Sequence, residues 1–334
     1  MRCINRKALS LIVCFCLMLS VCTGCGQKTV LSNPFDQTGV VASGNANNTE
    51  FDERGTRYLA EDYCTVTSDD VLIDSVSNSY VKAAGAFNVT TGETLYSYNT
   101  LKQCYPASTT KVMTAYLVFK YGKLSDKVTI SSDAVDLPSG SASAGLATGD
   151  ELTVKALLYG LLLASGNDAA NALAEYISGS VEEFAKLMNA EAKQMGAMHS
   201  NFVNANGIQD EDYYTCVYDL YLIFQNAMEE EDFLKILKTK SKTVTIKRAN
   251  GESIKQKYVS SNGFLTGKYQ YPDEYEILGG KTGTTYDAGK CLVLLAKNEE
   301  GQDIVFVALG SDTRDHLYLF LDNLMNGVMK KSLK

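Results

Sequence analysis

Histidine is scarce in this sequence: His199 and His316 are the two in 334 residues. A serine–histidine–acid triad would have to use one of them. His316 falls in the closing helical pattern "RDHLYLFLDNLMNGVMKK" and His199 in the loop-like "MHSNFVNANG", and neither lies beside a nucleophile signature. Gly-x-Ser-x-Gly is absent, and so are the phosphate-loop and Gly-x-Gly-x-x-Gly patterns. Basic charge is also short, with 31 Lys and Arg against 39 Asp and Glu and a net charge of −8. Nucleic-acid binding runs on clustered basic charge, so no nucleic-acid partner is expected. Of the nine cysteines, the four beyond residue 25 form no Cys-x-x-Cys pair and no Cys/His cluster in sequence. No metal site and no cofactor are therefore predicted.

Five of those cysteines (Cys3, Cys14, Cys16, Cys22, Cys25) sit in residues 1–25. There a basic start (Arg2, Arg6, Lys7) precedes the apolar run "ALSLIVCFCLMLSV", which is short for a spanning helix and suits a signal segment. Its end, "CTGC", resembles a bacterial lipobox, which makes Cys25 the expected lipid-attachment residue, although Cys22 stands where that pattern favours an aliphatic side chain. Cys64, Cys104, Cys216 and Cys291 are expected to be free thiols. Residues 26–69 have a linker composition, as in "TGVVASGNANNTEFDERGT". That segment would let an anchored domain stand off a membrane surface.

From about residue 70 the pattern is that of a folded domain, and 45% hydrophobic residues suffice for a full core. "VKAAGAFNV" and "ETLYSYN" read as two strands joined by "TTG". Helical patterns run from Ser108 to about Leu237, and the period then shifts to two. "TVTIKRANGESIKQKYV" reads as a hairpin, followed by the strands "EILGGKTGTT", "GKCLVLLAKNEE" and "DIVFVALG" and a final helix. Strands at both ends with helices between predict an α/β (α+β) fold. In it, an antiparallel sheet built from both chain ends packs with helices, and an all-helical lobe is inserted at about 125–237.

Three short motifs carry the chemistry. Ser108-Thr109-Thr110-Lys111 follows a proline and opens an apolar helix, where residues three apart share a face. A lysine made neutral by burial or by a nearby cation can activate a serine. A second Ser-x-x-Lys, Ser79 to Lys82, approaches a strand, where such a pair points to opposite faces. Ser165-Gly166-Asn167 lies in a break between two helices; its copy at Ser43 lies in the linker. Lys281-Thr282-Gly283 occurs once, on a strand preceded by Gly279-Gly280, where a ligand can approach the backbone. Each has an ordinary alternative: a helix start, a helix connection, a solvated edge strand.

The order SxxK, SxN, KTG resembles the serine penicillin-recognising enzymes. "PASTTKVMTAY", "GLATGDELTVKALLYGLLLASGNDAANALAEY" and "GGKTGTTYDAGKCLVLLAK" are similar to the low-molecular-mass D-alanyl-D-alanine carboxypeptidases, over roughly residues 70–327. The resemblance implies a β-lactamase/DD-peptidase-like catalytic domain at 70–334. Its substrates would be peptidoglycan stem peptides, β-lactams would inhibit it, and a lipid on Cys25 would tie it to the outer face of the cytoplasmic membrane. It further implies Ser108 as nucleophile, Lys111 as its base and Ser165 as proton relay. Asn167, Lys281, Thr282, Gly283 and Thr284 would bind substrate, with an oxyanion hole at the N–H groups of Ser108 and Thr284.

The sequence departs from the family pattern in two places. Asn204-Ala205-Asn206-Gly207 stands where Asn-Pro-His-Gly is frequent, and "YYTCVYDL" lacks a histidine usual there. The C-terminal β domain and amphipathic tail of many relatives are not expected after Lys334. A class A β-lactamase is the rival reading, but no Glu-x-x-Leu-Asn occurs between Asn167 and Lys281. The other rival is a non-catalytic wall-binding or β-lactam-sensing domain.

Overall fold

A computed structural model describes residues 63–332; the leader with Cys25, and the linker up to residue 62, lie outside the described residues. Five strands form the central sheet: β1 (Ala83–Asn88), β2 (Glu93–Tyr98), β7 (Tyr275–Thr285), β8 (Gly289–Asn298) and β9 (Asp303–Ser311). Their order is β2-β1-β9-β8-β7, with every pair antiparallel. The first strand thus pairs with the last, Ala84 opposite Ala308.

Period-two alternation sorts the side chains onto two cores. Ala84, Ala86, Leu292, Leu294, Phe306 and Ala308 meet the closing helix α8 (Arg314–Ser332) through Leu317, Phe320, Leu321 and Leu324. Ala83, Phe87, Val293, Leu295, Val305 and Val307 face the helices of the middle segment. Burial on both faces explains why "CLVLLA" in β8 is one continuous apolar run.

The middle segment contains α1 (Lys111–Tyr121), α2 (Ser132–Val135), α3 (Val154–Leu162), α4 (Asn167–Ser178), α5 (Val181–Gln194), α6 (Val217–Met228) and α7 (Glu231–Leu237). α1 is apolar nearly all round because it is wrapped: Val112, Met113, Ala115, Leu117 and Val118 are all buried.

The fold class matches the expectation; the inserted lobe differs in one respect, because it is not wholly helical. β3 (Lys127–Thr129) and β4 (Glu151–Thr153) lie within it and join the hairpin β5 (Ser241–Lys247) and β6 (Ser253–Val259) in a second sheet, β3-β4-β5-β6. A three-residue strand is too short to show a period, so nothing in the sequence marked these two. The expected linker end also shifts. Cys64 is fully buried, its N–H donates to the Tyr221 hydroxyl at 2.8 Å, and its carbonyl accepts from Tyr218 at 2.9 Å. Tyr63 and Cys64 are therefore tied to α6, and Thr65 to β2 through its carbonyl on the Thr94 hydroxyl. Cys64, Cys104, Cys216 and Cys291 are buried free thiols.

Candidate active site

Pro106 and a tight 3₁₀ turn, Ala107–Thr110, deliver the chain into α1. Ser108 is half-buried on that turn, and Lys111 is the first residue of α1. The turn is strained: Ala107 has φ +47°, a region that side chains other than glycine rarely enter.

Lys111 Nζ lies 2.9 Å from Ser108 Oγ, 2.7 Å from Asn167 Oδ1 and 2.5 Å from the carbonyl oxygen of Asn206. Two of these partners can only accept. A neutral amine has two protons and one lone pair. With the protons on Asn167 and Asn206, the lone pair faces the Ser108 hydroxyl, which then donates to it. Lys111 is fully buried. Burial, and then the charge of Lys281, hold its ammonium well below the usual lysine range, while Asp168 opposes them.

Lys281 stands on β7, also fully buried, and donates to Ser165 Oγ at 2.9 Å and to the Thr282 carbonyl at 2.8 Å. Burial pushes it down to about 7. Ser165 has φ +60° in the break between α3 and α4, and Asn167 is the first residue of α4. The SxxK, SxN and KTG residues, 173 positions apart at the extremes (Ser108 to Lys281), thus form one connected chain of contacts. Glycine at residue 283 lets β7 lie close against the serine turn. A Cβ there would come within 3.0 Å of the Pro106 carbonyl oxygen and 3.1 Å of Ser108 N.

A family model for D-alanyl-D-alanine carboxypeptidases, peptidase family S11, matches residues 73–313. The chain belongs to this family. It is 36% identical over 239 residues to D-alanyl-D-alanine carboxypeptidase DacF of Bacillus subtilis, covering 70% of this chain and 58% of that one. With the D-alanyl-D-alanine carboxypeptidase of Streptomyces strain K15 it shares 34% identity over 250 residues, 71% of this chain and 84% of the relative. The crystal structure of the Streptomyces K15 DD-transpeptidase superposes with a TM-score of 0.71 at 30% identity, covering 78% of this chain and all of that one.

Several parts of this S11 site were not readable from the sequence. The Asn206 contact is made by a backbone carbonyl, which has no side-chain signature. Its loop is pinned to α1 by Thr114 Oγ1 donating to the Ala205 carbonyl at 2.6 Å and by the Tyr213 hydroxyl on Thr110 Oγ1 at 2.7 Å. Gly207, at φ +86°, sits so close to the serine turn that a Cβ would fall 2.0 Å from the Ala107 oxygen. Asp168 accepts from the N–H groups of Ala144, Leu146 and Ala169 and from the Ser143 hydroxyl, so a carboxylate next to Asn167 holds the 143–146 loop. Ser261 Oγ lies 2.5 Å from Thr282 Oγ1. Thr284 is exposed, its hydroxyl on the Gly283 carbonyl at 2.7 Å. Among the described residues no carboxylate hydrogen-bonds to Ser108 or Lys111. The decoy Ser79–Lys82 pair diverges: Ser79 Oγ meets Ser77 Oγ at 2.9 Å, and Lys82 Nζ reaches the Asp287 carbonyl at 3.3 Å.

Proposed function

We propose that the protein is a serine D-alanyl-D-alanine carboxypeptidase that trims the terminal D-alanine from peptidoglycan stem pentapeptides. The chain spans 58% of DacF and 55% of the DacA relative from Haemophilus influenzae, so the activity rests on the site itself. The observation that carries it is the threefold set of partners around Lys111 Nζ, two acceptors and the Ser108 hydroxyl.

Ser108 Oγ attacks the penultimate carbonyl carbon, and its proton passes to Lys111 Nζ. The N–H groups of Ser108 and Thr284 hold the oxyanion, each worth about 3 kcal/mol in such sites. The tetrahedral intermediate collapses with a proton delivered through Ser165 to the leaving amine, and D-alanine departs. Water then cleaves the ester and restores the Ser108 hydroxyl. Lys281 and Thr282 bind the substrate's terminal carboxylate, and Asn167 orients its amide and Lys111. A β-lactam acylates Ser108 by the same first step. Release of the acyl group to an amine is the second reading, favoured by the name DD-transpeptidase on the Streptomyces K15 structure.

The test is free D-alanine released from a pentapeptide, with the intact mass of the product separating hydrolysis from transfer. Ser108→Ala and Lys111→Ala should each abolish covalent labelling by a fluorescent penicillin; labelling that survives both changes removes the mechanism. The leader, with its basic start and "CTGC", supports a lipid on Cys25 and action outside the cytoplasm. Among the described residues no helix is long and apolar enough to cross a membrane. Cys25→Ser should move the protein from the membrane fraction to the soluble one, and unchanged fractionation would refute the anchor.

A further inference from the structure

At the root of the loop that carries Asn206 lie three side chains unused by the chemistry above: His199, Cys216 and Asp219. One nitrogen of the imidazole, the Cys216 sulfur and a carboxylate oxygen all lie within 4.8 Å of one another. Cys216 and Asp219 are fully buried, while His199 is on the surface with half of its side chain exposed.

Asp219 sits in the first turn of α6 and uses one oxygen fully. Its Oδ2 accepts from the His199 N–H at 2.7 Å and from the Ser200 hydroxyl at 2.7 Å. Its Oδ1 is buried without a hydrogen-bond partner, and the nearest ring nitrogen, His199 Nδ1, stands 3.6 Å away. A buried carboxylate oxygen left without a donor is costly and leaves room for a cation, a proton or a water to satisfy it. Cys216 occupies the N-cap position of α6, where serine, threonine, aspartate or asparagine is the strong choice. Its sulfur accepts the Asp219 N–H at 3.4 Å, while burial and the neighbouring carboxylate raise the thiol well above its ordinary range, so its proton leaves only when a cation takes its place.

We propose that His199, Cys216 and Asp219 bind a zinc ion that clamps the root of the 199–216 loop. One thiolate, one imidazole and one carboxylate form a set suited to zinc. Bonds of 2.0–2.3 Å place tetrahedral ligand atoms about 3.4–3.7 Å apart, so closure from the present spacing needs shifts of about 1 Å. The thiol proton, which can face Oδ1 in the metal-free form, goes to solvent on binding. The exposed side of His199 leaves the fourth position to water. The loop is already cinched near its root by the Asn201–Tyr214 and Cys104–Thr215 bridges, and its tip supplies the Asn206 carbonyl to Lys111. Zinc would fix both ends of the segment that orients the base. The ligands, 17 and 3 residues apart, match no sequence motif, which is why none was predicted.

The experiment titrates metal-free full chain with Zn²⁺ against a chromophoric chelator, alongside Cys216→Ser and His199→Gln. Serine keeps the cap acceptor, and the leader cysteines cancel in the comparison. The wild type should bind one more equivalent than either variant, with affinity at that site reduced more than about 100-fold in both, beyond the loss expected for an outer-shell partner. Co²⁺ should give a thiolate charge-transfer band that Cys216→Ser lacks. Penicillin labelling of Ser108 reports that each protein is folded. If Cys216→Ser fails to fold, His199→Gln, a surface change, decides alone. Equal zinc binding in wild type and variants, or no band that depends on Cys216, overturns the proposal and leaves the proposed peptidase activity untouched.

Discussion

Two lysines share one buried site, Lys111 and Lys281; burial weakens the hold of both on a proton, and the charge of Lys281 weakens that of Lys111 further. Close titrating pairs lose protons in two macroscopic steps. The first loss frees the lone pair of Lys111, and activity rises with pH. The second neutralises Lys281, held at about 7 against the ordinary 10.5, and removes the cation that would meet a substrate carboxylate. The profile of kcat/KM reports these groups in the free enzyme. It should therefore be a bell whose falling limb begins near pH 7, and Lys281→Arg, charged at every accessible pH, should move that limb upward. A profile still climbing at high pH in the wild type would contradict this assignment. The Ser108–Lys111 pair was readable from sequence because helical spacing alone puts i and i+3 side by side. The Lys281–Ser165 contact was not, since it joins residues 116 apart and is set by packing rather than by any local rule.

At the scale of elements, the site is held by glycine contacts and one carboxylate. Asp168→Ala would leave the Ala144, Leu146 and Ala169 N–H groups without their acceptor inside the protein. At about 1–3 kcal/mol for each buried unsatisfied group, thermal unfolding should show a loss on the order of 3 kcal/mol or more. Penicillin labelling should slow as well, because Asn167 loses its support. An unchanged midpoint would mean that water replaces the carboxylate. The β5–β6 hairpin was legible because "TVTIK" and "SIKQKYV" alternate over seven-residue strands around Asn250-Gly251. β3 and β4 gave no such signal. Their four-stranded sheet is a tertiary product that no single segment encodes.

For the whole molecule, the boundary of the folded unit matters more than its composition suggested. Tyr63 to Asp69 read as linker because they contain few aliphatic residues, yet Cys64 is buried and bonded to both Tyr218 and Tyr221. A chain beginning at Asp70 should be less stable than one beginning at Tyr63 by roughly 2–4 kcal/mol, the sum of a lost buried side chain and two hydrogen bonds. Paired urea melts would show it, and coincident curves would restore the shorter boundary.

The pairing of β1 with β9 has a temporal consequence. Ala84 finds its partner Ala308 only after 223 intervening residues have appeared. A polypeptide delivered amino end first thus keeps one edge of its opening hairpin bare until its final strands arrive. Closure over such a span is slow. Synthesis must be nearly complete before the sheet can assemble, and an unfinished copy has no means of building the pocket at all.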